Sequence, residues 1–261
     1  MQESEFESPT TVACINDALA YPVALFGGTP ADFRLFGTGS MIEAHGSSFL
    51  VSAKHCFDTV TSEAGSNMYL CTGPGNLHHV HGRTSFFTAD QGDAQVLRLS
   101  SKIEWKAAAY ERRPIALEQM QRAPEAAPPI RTWYVFAGYP VSRSSRDRIR
   151  GTTHVVLNMN VLKEAEQELY QRLRLSQETH LVLDFDHRKL SIFVNGNGRT
   201  PAKPQGMSGS MVWRVEVKGD GGCFKTAVAV ATDHKKSLRA IVCSRIDSVE
   251  PTLRRLAEEV V

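Results

Sequence analysis

The chain has no apolar run of about 18 residues, so no membrane-spanning helix is expected. Its first seven residues, Met1-Gln2-Glu3-Ser4-Glu5-Phe6-Glu7, are acidic and lack the apolar stretch of a secretory leader. Cysteine is scarce: Cys14, Cys56, Cys71, Cys223 and Cys243 are odd in number, and no two have C-x-x-C spacing. That excludes a recognisable disulfide framework or zinc site, and each cysteine reads as a small buried hydrophobe. A reducing cytoplasm is the expected compartment. Charge of one sign is also missing. Thirty Lys and Arg face 28 Asp and Glu, a net charge of +2, so no nucleic-acid partner is expected.

What is present is an ordinary globular composition with 42% apolar residues, over 261 positions. That length accommodates one large domain or two small ones sharing a site. Residues 1–30 show no strand alternation beyond a short helical stretch at 16–20, and they read as an N-terminal extension. From residue 33 the texture changes to short apolar or alternating runs between glycine and polar turns. Strands are expected at 33–36, 40–43, 48–52, 68–71, 83–87 and 93–99. A second set is expected at 133–137, 153–159, 180–185, 211–217, 224–231 and 240–244. Such a series, without alternating helices, indicates an all-β barrel or sandwich and argues against a parallel α/β sheet.

Prolines 114, 124, 128 and 129 mark a connection between the two sets. The resulting organisation is an extension (1–30), a first β unit (31–115), a linker (116–131) and a second β unit (132–261). Residues 163–177 look helical. So do 247–261, where Val249, Leu253, Leu256 and Val260 form one apolar stripe and Pro251 suits a first turn.

Three segments carry chemistry. Leu50-Val51-Ser52-Ala53-Lys54-His55-Cys56 sets an imidazole after an apolar strand. Asp93-Ala94-Gln95-Val96-Leu97-Arg98-Leu99 sets a carboxylate ahead of one. Gly206-Met207-Ser208-Gly209-Ser210 sets a hydroxyl between glycines. A serine nucleophile needs a base for its proton and an acid to orient that base. Asp58 and Asp90 rival Asp93 for the acid, but only Asp93 leads straight into an apolar strand. The N–H groups of Gly206 and Ser208 are candidate donors to an oxyanion. The order His, Asp, Ser differs from that of an α/β-hydrolase, which places histidine last and uses a Gly-x-Ser-x-Gly elbow. Here position 210 is Ser, and the only histidine after Ser208 is His234.

Other polar clusters read as surface. Arg143, Arg146, Arg148 and Arg150 suggest a solvated loop. His78-His79-Val80-His81 lacks accompanying acids or cysteines, so a loop is expected rather than a metal site. Asn195-Gly196-Asn197-Gly198 is a turn and not a nucleotide loop, because no Gly-Lys-Ser/Thr follows. Neither cofactor nor metal is therefore expected.

Together the three segments resemble those of trypsin-like (chymotrypsin-fold) serine peptidases. Gly37-Thr38-Gly39-Ser40 and Gly138-Tyr139-Pro140 extend the likeness, which covers roughly residues 33–261. The resemblance implies two six-stranded antiparallel β-barrels with the site between them and a helix at the C-terminal end. It implies Ser208 as nucleophile, His55 as general acid/base and Asp93 as orienting acid, with Gly206 and Ser208 forming the oxyanion hole. Val228-Ala229-Val230-Ala231 matches the strand that pairs with substrate. Ala202, Val230, Ala231 and Asp233 are the implied substrate contacts, with His234 beside them.

The substrate class implied is a protein or peptide. Met207 stands where many secreted members carry an aspartate that receives a new N-terminal amine. Ala202 stands where true trypsins carry an acid, and Cys56 lacks an evident partner. These departures fit an intracellular bacterial-type branch, gated by a regulatory protein partner rather than by zymogen cleavage. The alternative is a catalytically silent binding module of the same fold.

Overall fold

A computed structural model describes residues 8–29, 32–63, 67–73, 76–80, 86–88, 93–99, 112–120, 129–147, 152–186 and 203–259. Helix α1 (Pro9–Asp17) starts where the Ser8 side chain accepts the Thr10 N–H, with proline in the first turn. A 3₁₀ turn (Ala18–Ala20) leads into β1 (Pro22–Thr29). The short helix expected at 16–20 is thus the end of a longer one.

Strand β1 corrects the reading of residues 1–30 as an extension. Val23, Ala24, Leu25 and Phe26 are all buried, so both faces of the strand are covered and no alternation marks it. The first unit continues with β2 (Asp32–Ala44), β3 (Ser47–Ala53), α2 (Lys54–Glu63), β4 (Met68–Gly73), β5 (Asn76–Val80), β6 (Phe86–Thr88), β7 (Ala94–Arg98) and β8 (Ile115–Ala116). The two strands expected at 33–36 and 40–43 are one strand, β2. It turns into β3 through His45 and Gly46, both at positive φ, as a two-residue hairpin requires. The sheet runs β5-β4-β1-β2-β3-β7-β6, and β8 pairs in parallel with β2. Among the described residues this sheet comprises eight strands. His78 and His79, expected in a loop, lie on β5 opposite Leu70 and Tyr69.

The second unit comprises β9 (Arg131–Gly138), the ribbon β10 (Ser145–Asp147) and β11 (Thr152–His154), β12 (Asn158–Glu164), α3 (Gln167–Leu173), β13 (His180–Asp184), β14 (Met211–Val217), β15 (Cys223–Lys235), β16 (Ala240–Arg245) and α4 (Glu250–Glu258). Six of its strands close an antiparallel barrel in the order β12-β13-β16-β15-β14-β9. The strand expected at 153–159 is displaced, because β11 ends at His154 and β12 begins at Asn158.

Helix α3 is shorter than the stretch 163–177. Lys163 and Glu164 pair with Asp184 and Leu183, and Arg174 ends the helix in the left-handed region. Its Tyr170 hydroxyl donates to Glu164 at 2.8 Å and accepts the Val182 N–H at 2.9 Å, which fixes the helix to the barrel. Helix α4 buries Leu253 and Leu256, as the stripe required. The interunit link, 116–131, is described at 116–120 and 129–131. The turn at 195–198, His81, Arg148 and Arg150 lie outside the described residues.

One apolar core runs through both units. It joins Ile42, Phe49 and Val96 of the first to Trp133, Trp213 and Leu253 of the second. Tyr21, just ahead of β1, stacks on Trp213 with ring centroids 4.7 Å apart. Among the described residues, no helix is long and apolar enough to cross a membrane.

Candidate active site

Strand β3 ends at Ala53 and α2 begins at Lys54, so His55 lies in the first turn of a helix rather than at the strand end expected. Ala53 faces Ala94 across the β3–β7 ladder, and the Lys54 N–H donates to Asp93 O at 2.7 Å. That register sets Asp93 beside His55. The distance from Nδ1 to Asp93 Oδ2 is 2.7 Å. A carboxylate only accepts, so Nδ1 donates and Nε2 remains for the cleft. The hydrogen bond to Asp93, followed by one to Cys56, raises the His55 pKa to about 10, against a smaller opposing effect of burial. Among the rivals, Asp58 pairs with Lys54 Nζ at 2.5 Å and Asp90 lies outside the described residues.

Asp93 is held from the other unit as well. Its N–H donates at 3.0 Å to Oγ of Ser244, a fully buried residue of β16. Sequence offered no signal for this contact, because the partners are 151 positions apart.

The Ser208 loop is built from its glycines. Gly206 and Gly209 have φ of +90° and +89°, a region L side chains rarely enter. A Cβ on Gly209 would lie 1.9 Å from Thr38 O and 2.0 Å from Ser52 Oγ. The backbone of β2 thus presses directly on the loop. The loop is tied to β15 through Gly209 N–H to Ala231 O at 2.6 Å and Ala231 N–H to Ser210 O at 2.9 Å. The Ser208 carbonyl accepts the Thr38 N–H at 2.8 Å and the Cys56 thiol at 3.6 Å. Among the described residues, the N–H groups of Gly206 and Ser208 have no acceptor in the protein.

His55, Asp93 and Ser208 line one cavity of about 610 Å³, with Leu173, His180 and Asp233 on its walls. The structure therefore brings all three sequence-selected side chains to one cleft. A second recess of about 10 Å³ adjoins Ser208, walled by Phe136, Met207, Ala231, Asp233 and Ile241. It has room for about one water. Of the expected substrate contacts, Ala231 lines the recess and Asp233 lines both spaces. Val230 is fully buried in the shared core and lines neither. Ala202 lies outside the described residues. Leu173 and His180 were not expected near the site, since helix α3 and the start of β13 reach it only through barrel closure. Among the described residues, no group of three or more His, Cys, Asp or Glu side chains could hold a metal.

A closed six-stranded antiparallel barrel, a second β-sheet and a C-terminal helix are the architecture of the chymotrypsin-like two-barrel fold, and comparison with known structures agrees. GrC superposes with a TM-score of 0.56 at 12% identity, covering 93% of this chain and 96% of its own. The VesB protease of Vibrio cholerae superposes with a TM-score of 0.53 at 14% identity, covering 90% of this chain and 63% of its own. At these identities the likeness establishes the fold. No family model matches the sequence, and no curated protein matches it.

Proposed function

We propose that this chain is a serine endopeptidase of the intracellular bacterial-type branch. The observation that carries the reading is the 2.7 Å His55–Asp93 pair in the same cavity as Ser208. On this reading, His55 Nε2 takes the Ser208 Oγ proton as Oγ attacks a peptide carbonyl. The oxyanion is received by the N–H groups of Gly206 and Ser208. The His55 imidazolium then protonates the leaving amine, and water, deprotonated by the same imidazole, releases the acyl group. Asp93 keeps Nδ1 protonated and stabilises the imidazolium.

The reading places the enzyme in the cytoplasm, supported by five free cysteines. It takes a protein or peptide substrate and answers to a regulatory protein partner. Met207 offers no charge for a new amine terminus, which argues against zymogen cleavage as the trigger.

The test is labelling by a fluorophosphonate probe alongside cleavage of a peptide library. Wild type is labelled and cleaves, while Ser208→Ala does neither. Labelling that survives Ser208→Ala overturns the assignment. The second reading is a catalytically silent binding module of the same fold. A folded wild type that stays unlabelled even near pH 10 supports that reading instead.

A further inference from the structure

The oxyanion donors proposed above belong to peptide units whose other ends are anchored. In a trans peptide the C=O and N–H point in opposite directions. Fixing one therefore aims the other. The Ser208 N–H shares its unit with the Met207 carbonyl. That carbonyl accepts the Ser210 hydroxyl at 2.6 Å and the Ser210 N–H at 3.1 Å. The Gly206 N–H shares its unit with the Gln205 carbonyl, which accepts the Val141 N–H at 2.8 Å. The unit between them is held at both ends. Gly206 O accepts Thr38 Oγ1–H at 3.0 Å, and the Met207 N–H donates to Pro204 O at 2.8 Å.

Two buried hydroxyls recur in this set. Ser210 and Thr38 are both fully buried. Thr38 Oγ1 also accepts the Tyr139 N–H at 3.0 Å, so it bridges the loop to the end of β9. Space for the pair comes from Gly138, where a Cβ would lie 2.3 Å from Ser210 Oγ and 2.9 Å from Thr38 Oγ1. Met207 itself is buried and apolar, and it touches Asn160 through sulfur at 3.8 Å. No charge holds the loop from its own side chains. The hydroxyls hold it instead.

We infer that Ser210 and Thr38 are positioning residues: a neutral hydroxyl latch that aims the oxyanion donors in the resting chain. The inference rests on the reading of Ser208 as nucleophile. It explains how a loop carrying Met207 is organised without an ion pair to an amine terminus.

The test uses Ser210→Ala and the near-isosteric Thr38→Val, with Thr38→Ser as the variant that keeps the hydroxyl. One preorganised donor is worth about 10²–10³ in kcat. Misaiming it should lower kcat about 10- to 100-fold with KM within about twofold. Inhibition by a peptide aldehyde, whose adduct places an oxyanion at the same donors, should weaken in parallel. Thr38→Ser should stay within about threefold of wild type. Unchanged kcat in folded Ser210→Ala and Thr38→Val overturns the latch.

Crystal structures of the variants separate this from failure of the enzymatic reading. If wild type neither labels nor cleaves, the latch still requires the 207–208 peptide unit to rotate in Ser210→Ala. An unmoved unit overturns it. Should Ser210→Ala fail to fold, the Thr38 pair and the 206–207 unit decide the matter in the same way.

Discussion

At the scale of single residues, the site turns on one hydrogen-bonded pair. Asp93 raises His55 to a pKa of about 10, so Asp93→Asn should bring it back toward the ordinary 6.5, read by NMR titration of the imidazole. The sign for stability follows. A group whose pKa is raised by folding stabilises the native state fully below its unfolded value. The contribution of His55 is therefore complete below about pH 6.5 and is lost as pH rises through about 10. Urea denaturation of wild type against Asp93→Asn should differ at pH 6 and converge above pH 10. His55 and Asp93 were legible in sequence because each adjoins a strand whose apolar pattern is unmistakable. Ser244 and Leu173 were not. They reach the site through contacts made only when the barrel closes, and nothing near them in sequence marks a destination.

At the scale of elements, the Ser208 loop depends on a backbone that most residues cannot adopt. Gly209→Ala puts a methyl group where Thr38 O and Ser52 Oγ already lie, at a φ of +89°. The left-handed conformation alone costs about 1–2 kcal/mol, and the overlap forces the loop off β2. The expected outcome is a stability loss of at least about 2 kcal/mol in urea and loss of probe labelling. Gly46→Ala should behave differently. It also has positive φ, but no atom lies within 4 Å of its Cβ position, so only the conformational cost of about 1–2 kcal/mol should appear and labelling should persist. Strands in which half-buried polar residues alternate with apolar ones, such as β14 with Arg214 and Glu216, were legible to the residue. Strand β1 was hidden because a strand buried on both faces carries no alternation. The shortening of α3 was hidden because Lys163 and Glu164 are helix formers held in a ladder by Asp184 and Leu183.

At the scale of the molecule, Arg112 joins three parts. It donates to Thr72 O on β4 at 2.8 Å, to Leu19 O beside α1 at 3.0 Å and to the Tyr139 hydroxyl beyond β9 at 3.0 Å. Hydrogen bonds from a charged donor are the strong kind, and their acceptors are left unpaired when it is removed. Arg112→Ala should cost about 2–4 kcal/mol, with Arg112→Lys recovering only part, because an ammonium cannot span three acceptors in a fork. The fold class was legible from the two strand sets and the prolines between them. The border between units was not, since β1 and the shared core make residues 22–29 part of the first sheet rather than an appendage. Truncation studies of the N-terminal segment must stop short of helix α1, whose Ile15 is buried in the same core as Tyr21 and Trp213.

The seam between the two units has a further consequence. Asp93 and His55 stand on one side of it and Ser208 on the other, and the ties that align them cross over: Asp93 to Ser244, Thr38 to Ser208. Neither half holds a working set alone. On the proposed reading, hydrolysis becomes a report of docking. On that same reading, a chain emerging from synthesis has no assembled site until its second half has closed onto its first.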